Sequence, residues 1–376
     1  MKQKLLTILA GVGSLGLAAG TAYGQAITDP EIQPAYAEEA ARIVDEERVR
    51  DAFEHILDIE PQSRRDLIEL TEIPAPPFGE QARGERFAEM LKASGLVDVP
   101  MDDVGNVIGR RPGRSGNRVI GYSAHLDTVF PADTDVTVRF DDERLYAPGI
   151  ADNSRGLVTI LGVLRAMEHA GIETEADVWF IGNVGEEGLG DLRGVKHLFR
   201  EGAEKIDTLI AVDGGQSNRI VYGGVGSHRY RVTFIGPGGH SWGAFGLANP
   251  HHALGRAIRI FDEQAPQVTS SGEKTSYNVG RIGGGTSINS IPFESWMEVD
   301  MRSGDQAKLD EIDAVLHAAV DQALQEENAS RLTGPELTVE VERVGTRPAA
   351  QQDPNNPVVQ RALAATAAFG IAPSLR

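Results

Sequence analysis

Three short apolar runs, each breaking off into polar or glycine-rich residues, constrain this chain more than any other feature. VIGYSAHLD (119–127), ADVWFIGNV (176–184) and DTLIAVDGG (207–215) read as buried strands. GLVTILGVLRAMEHAG (156–171), between the first two, has the length and periodicity of a helix. Strands separated by helices imply an α/β fold with a largely parallel sheet covered by helices on both faces. Ligands bind such sheets beyond the carboxyl ends of the strands. His125, Glu186 and Asp213 all fall at those ends.

Upstream, AEEAARIVDEERVRDAF (37–53) reads as one exposed lead-in helix, so that 25–50 form a lead-in and 51–223 the first part of the α/β domain. RRDLIELTEIPAPP is a helix stopped by prolines, and GERFAEMLKASGL is a helix ended by Gly95. After residue 223 the pattern changes. The strand SHRYRVTFIG is followed by the helix PHHALGRAIRIFDEQ, the strands TSYNVGRIG and SWMEVDMRS, the helix QAKLDEIDAVLHAAVDQALQEEN and the strand ELTVEVERVG. That order, β-α-β-β-α-β, is the split ferredoxin-like arrangement. It predicts an inserted α+β domain over 224–346, with 347–376 returning to the first domain.

The first 24 residues carry a processing signature. Lys2 and Lys4 precede the uncharged apolar run Leu5 to Ala19, and Ala22-Tyr23-Gly24 offers small residues at −3 and −1 of a cleavage site. This predicts a signal peptide and a periplasmic or secreted protein, with an uncleaved anchor as the alternative; the run is short for a membrane span and no stop-transfer segment follows. Gly11, Gly13 and Gly16 spell GxGxxG, but no strand precedes them, so the dinucleotide reading is discarded. A net charge of −19 argues against nucleic acid or an anionic membrane as partner. The chain contains no cysteine, so any metal must sit on His, Asp and Glu.

Four clusters end successive elements of the α/β domain. In SAHLDTVFP, His125 could ligate zinc while Asp127 accepts its other ring N–H, although HxD alone also fits a surface pair. Asp152 in APGIADNSRGL could be a ligand or a helix N-cap. Glu186 and Glu187 in VGEEGLGDLRG could divide into a general base and a ligand, or form a solvated acidic loop. Asp213 in AVDGG could be a ligand or a turn aspartate. Together they suit a pair of divalent cations bridged by Asp152, whose charge three carboxylates and a hydroxide would balance.

HLDTV, the ADN segment, GEEGLGDLRG and VDGG, in this order and spacing, resemble the di-zinc metallopeptidase family of peptidase T, carboxypeptidase G and the aminoacylases, and GLGDLRGVKHLF most resembles the peptidase T branch. The resemblance runs from about residue 65 to 370 and implies that the inserted domain mediates a homodimer. It implies that His125 and Asp213 hold one Zn²⁺, that Asp152 bridges, and that Glu187 holds a second. Glu186 would be the general base acting on a metal-bridged water, with Asp127 orienting His125. His240 in GPGGHSWG resembles a histidine that reaches the substrate, often across a dimer; otherwise it is a loop imidazole. Asn289 in SINSIP and Arg302 in DMRS resemble residues that hold the substrate carbonyl and carboxylate, though Arg302 could equally make a structural ion pair. The family also has a histidine ligand near its C-terminus, and no histidine follows His317 here. The expectation is therefore a C-terminally truncated sequence whose second zinc lacks that ligand.

The implied activity is that of a zinc exopeptidase, an aminopeptidase on short peptides, because the ligand at the position of Asp213 tends to be Asp in aminopeptidases and dipeptidases and Glu in carboxypeptidases and deacylases. An N-acyl-amino-acid amidohydrolase is the alternative, and a catalytically inactive dimeric binding protein a third reading.

Overall fold

The computed structural model describes residues 31–141 and 144–376. The predicted signal peptide and the GxGxxG match lie outside the described residues. No helix among the described residues is long and apolar enough to cross a membrane. The chain divides into two compact units, one formed by 31–220 with Pro354–Leu375 and the other by Val221–Asp353.

The first unit opens with four helices, α1 (Pro34–Val44), α2 (Glu47–Asp58), α3 (Glu60–Thr71) and α4 (Gln81–Ala93). The single helix expected over 37–53 is thus two. Glu46 adopts an extended conformation (φ −66°, ψ 137°) that breaks the run, and the Arg50 guanidinium bonds the Asp45 carbonyl that the break leaves free. Helix α4 ends as expected, with Gly95 at φ +109° just past its last turn.

Strands β1 (Val107–Arg111) and β2 (Val119–His125) lead to helix α5 (Arg155–His169). Strand β3 (Asp177–Asn183), the short helix α6 (Arg193–Leu198) and strand β4 (Thr208–Ala211) follow. The sheet order is β1-β3-β2-β4. The β3–β2 and β2–β4 pairs are parallel and the edge pair β1–β3 is antiparallel.

Strand β3 is buried from Val178 to Asn183 without alternation, which is what two covered faces require. On one face Phe180 packs with Leu126, with Leu157, Ile160, Leu161 and Leu164 of α5, and with Phe87 and Leu91 of α4. On the other, Trp179 and Ile181 pack with Ile108, Leu198 and Ile206. The register sets His125 opposite Asn183 and Ser123 opposite Ala211, so the carboxyl ends of β2, β3 and β4 come level at one edge.

The second unit has the predicted order. Strand β5 (Gly226–Ile235) and helix α7 (Pro250–Gln264) precede strands β6 (Thr275–Gly284) and β7 (Glu294–Ser303). Helix α8 (Gln306–Ser330) and strand β8 (Thr338–Arg347) complete it. The sheet is antiparallel throughout, in the order β6-β7-β5-β8. One face is apolar: Val232, Phe234, Met297, Val299 and Met301 bury against Leu254, Ala257 and Phe261 of α7 and Leu316 and Val320 of α8. The other carries charge, with Arg231 bonded to Glu298 and its guanidinium 4.0 Å over the Trp296 ring. Side chains of Asn249 and Asp305 cap α7 and α8 by accepting the N–H of His251 and Ala307. The return segment, helix α9 (Pro357–Ala368), anchors the start of the described chain: Gln360 accepts the N–H of Gln33 and donates to the Glu31 carbonyl.

Candidate metal centre and active site

Because β2, β3 and β4 end level, the loops that follow them converge. His125 closes β2 and is 3% exposed. Its Nε2 lies 2.8 Å from Asp152 Oδ1 and 3.9 Å from Asp213 Oδ1. One ligand atom each from His125, Asp152 and Glu187 lie within 4.8 Å of one another. Three of the residues singled out by sequence, from three separate segments, therefore meet at one point, and Asp213 approaches the same imidazole from a fourth. The donor set of one imidazole and hard carboxylate oxygens suits a divalent cation such as zinc.

The imidazole is aimed by its other nitrogen. Nδ1 lies 2.9 Å from the Asp127 backbone carbonyl, as a donor to it, and 3.6 Å from the Asp127 carboxylate. That fixes Nε2 as the nitrogen facing the carboxylates. The sequence expectation had the Asp127 carboxylate accept the ring N–H. In the structure that fully buried carboxylate accepts the backbone N–H of Glu186 at 3.0 Å and of Glu187 at 2.8 Å. Asp127 thus ties the histidine strand to both glutamates.

Asp152 lies in an irregular turn, Ile150–Ser154, that leads into α5, and its peptide bond to Asn153 is cis. It is not the helix N-cap. Asn153 instead accepts the Gly156 N–H and donates to the Val212 carbonyl at 2.9 Å, joining the Asp152 and Asp213 loops. Asp213 is half-exposed and accepts its neighbour Gly214's N–H.

The electrostatics are those of a cation site. Burial opposes a charge on His125, but the Asp127 and Asp152 carboxylates, with Glu186, lift its pKa to about 10. The His125 contact holds Asp152 below the usual carboxylate range. Burial works against the charge of Asp127 too, yet His125 and the two backbone N–H groups keep it ionised and its pKa low. Glu187 is pushed up, first by burial and then by the charges of Glu186 and Asp152. A divalent cation among these groups would relieve that repulsion.

Residues that the sequence reading missed hold the loops in place. Glu80, 3% exposed, accepts the Gly185 N–H at 3.1 Å and binds Arg193 at 2.7 Å. Arg83 is wholly buried and donates to the Leu126 carbonyl at 2.8 Å; burial lowers its pKa to about 10 against the pull of Asp127. Asn106 accepts the Val184 N–H and donates to the Gly194 carbonyl, bracketing the Glu186–Glu187 loop. A signal existed: Arg83, and Glu80 three residues before it at the start of α4, fall in line with Phe87 and Leu91, where an apolar residue would be ordinary. Glycine is required at 185, where φ is +64° and a Cβ would run into the Arg193 guanidinium.

In the second unit His240 and Asn289 come together. Gly239–His240 pairs antiparallel with Ser290–Ile291, and the Ser241 N–H donates to the Asn289 carbonyl at 2.9 Å. His240 is exposed, its Nδ1 accepting from the Trp242 and Gly243 N–H groups. Arg302 is not brought to this pair. It lies eight residues along β7 from Glu294, roughly 26 Å at strand spacing, and donates to Asp300 at 2.7 Å.

The sequence profile of peptidase family M20/M25/M40 matches residues 121–375. Carboxypeptidase G2 of a Pseudomonas species is 24% identical over 265 residues, 69% of this chain, and the match spans 58% of that relative's length. Among solved structures, the aminopeptidase PepT of Bacillus cereus superposes with a TM-score of 0.64 at 23% identity, covering 84% of each chain. The dipeptidase Dug1p of Saccharomyces cerevisiae gives 0.68 at 16%, covering 87% of this chain and 86% of its own.

Proposed function

The chain belongs to peptidase family M20/M25/M40 and is a hydrolase, and on that premise we propose that it is a zinc-dependent aminopeptidase acting on short peptides. The observation that carries the reading is the convergence of His125, Asp152 and Glu187 within 4.8 Å, beside a second glutamate anchored by Asp127. We assign two zinc ions to the centre, His125 and Asp213 on one, Glu187 on the other, with Asp152 shared. Bound there, zinc supplies a Lewis acid for the amide carbonyl and lowers the pKa of water. His125 offers Nε2 because Nδ1 is committed to the Asp127 carbonyl. Glu186 accepts the proton of the attacking water and delivers it to the departing amine. Asp127 keeps that carboxylate in place through the loop backbone. By the resemblance in sequence, His240 and Asn289, which the pairing of Gly239–His240 with Ser290–Ile291 brings together, would bind the substrate carbonyl. Asp213 at the fourth strand end favours a peptidase over a deacylase, in keeping with the aminopeptidase and dipeptidase among the similar folds.

The test is a substrate panel with the zinc-loaded protein: tripeptides with free amino termini, the same peptides N-acetylated, and N-acetyl amino acids. Cleavage of the free tripeptides, lost on acetylation, is the expected result. Faster release of acetate from N-acetyl amino acids would make the protein a deacylase, and no hydrolysis of either class would remove the assignment.

A further inference from the structure

A cavity of about 330 Å³ opens directly beside the candidate zinc ligand Glu187, lined by Pro77, Phe78, Val129, Glu187, Gly188 and Leu189, all of the first unit. Apart from Glu187 its walls are apolar. Phe78, Val129 and Leu189 are 69%, 60% and 56% exposed. Three large apolar side chains left open around one concave surface are the mark of a surface kept for a ligand. The backbone points the same way. Among the described residues, non-glycine residues with positive φ are Phe78 (70°), which lines this cavity, and Asp191 (50°) and Leu192 (58°), which follow its Glu187–Leu189 wall in sequence. Such conformations cost free energy and persist only where the surroundings enforce them. For Phe78 the enforcement is visible: the Arg193 guanidinium lies 4.5 Å over its ring, and Arg193 is itself held by buried Glu80. Glu80 also holds the Gly185 N–H, so one cluster sets both the aromatic wall and the loop that carries Glu186 and Glu187.

We propose that Phe78, Val129 and Leu189 form the subsite for an apolar side chain on the group whose carbonyl is attacked. The inference rests on the hydrolase reading above. A side chain seated against these walls would leave its carbonyl beside Glu187, which itself lines the cavity. Leucyl, methionyl and phenylalanyl groups gain by burial there, a glycyl group gains nothing, and an acidic group loses solvation without a partner.

The experiment compares kcat/KM for leucyl-, phenylalanyl-, glycyl- and glutamyl-tripeptides, and for the N-acyl amino acids with acyl chains from acetyl to hexanoyl. The wild type should prefer the large apolar group over glycyl or acetyl by roughly 10- to 200-fold. Phe78→Gly keeps the positive φ accessible while removing the wall, and Leu189→Asp places a charge in the pocket from an exposed turn. Both should bring the ratio towards parity, mainly through KM. A flat wild-type ranking within twofold overturns the proposal, and so does an unchanged ratio in both variants. Cleavage of no substrate in either series overturns the hydrolase assignment itself, and the subsite with it, so the two failures are told apart.

Discussion

His125 Nε2 faces the Asp152 carboxylate at 2.8 Å while Nδ1 donates to a carbonyl, an arrangement that without a cation favours the imidazolium. Against the cost of burial, the neighbouring Asp127 and Asp152 carboxylates likewise raise its pKa, to about 10. The sign follows directly. The imidazolium stabilises the metal-free fold fully below its ordinary pKa of 6.5, and that contribution fades as pH rises through about 10. Zinc must displace the Nε2 proton, so loading at pH 7 should release about one proton per chain from this residue. Calorimetric titration in buffers of different ionisation heat measures it, and zero protons released would mean that Nε2 is not the ligand atom. The neighbouring glutamates separate by substitution. Glu186→Gln should retain zinc and lose roughly 10²–10⁴-fold in turnover, whereas Glu187→Gln should lose zinc; the opposite pattern in dialysed protein would exchange the two roles. At this scale the positions of His125, Glu187 and Asp213 were legible because each stands at or just past the end of an apolar run. The orienting contact was misread because a carbonyl of the same residue competes with the Asp127 carboxylate, and sequence does not say which oxygen turns inward.

The elements matter because they hold backbone groups, not only side chains. Asn106 follows the 102–105 turn just before β1, beside the end of the neighbouring β3, where it serves the Val184 N–H and the Gly194 carbonyl at once. It is wholly buried. Asn106→Ala should strand both groups at roughly 1–3 kcal/mol each, lowering the denaturant midpoint and loosening the loop that carries Glu186. A midpoint within error of the wild type would show that water replaces the amide. Strand β3 and helix α5 were readable because burial writes itself as continuous apolar sequence, and β2 and β4 because their short apolar runs break off into polar or glycine-rich residues. Strand β1 was not, since VIGRR is short, at the sheet's edge, and ends in two arginines. Helix 37–53 was read through its break because charged residues on both sides of Asp45 are good helix formers. Glu80 and Arg83 escaped notice because a buried ion is exceptional on an apolar helix face, and only the three-dimensional neighbours explain it.

For the whole molecule, the open question is whether one chain makes a complete site. His240 stands on an exposed two-stranded pairing of the second unit, near Trp242, Phe245, Ile288 and Phe293, which are 66–104% exposed. Apolar groups grouped around a polar pair are suited to contact with another surface, and the resemblance in sequence implies a homodimer in which this histidine reaches the substrate across the interface. Trans action makes a prediction that cis action does not. His240→Ala and Glu186→Gln should each be nearly inactive alone. Mixed in equal amounts and allowed to exchange subunits, they form heterodimers in which one site combines an intact Glu186 with an intact His240. Random pairing puts half of the dimers in that class, so roughly a quarter of wild-type activity should return. Sedimentation should show dimers for each variant and for the mixture. Dimers without recovered activity would place His240 at the site of its own chain or outside the chemistry, and monomers throughout would remove the dimer from the mechanism.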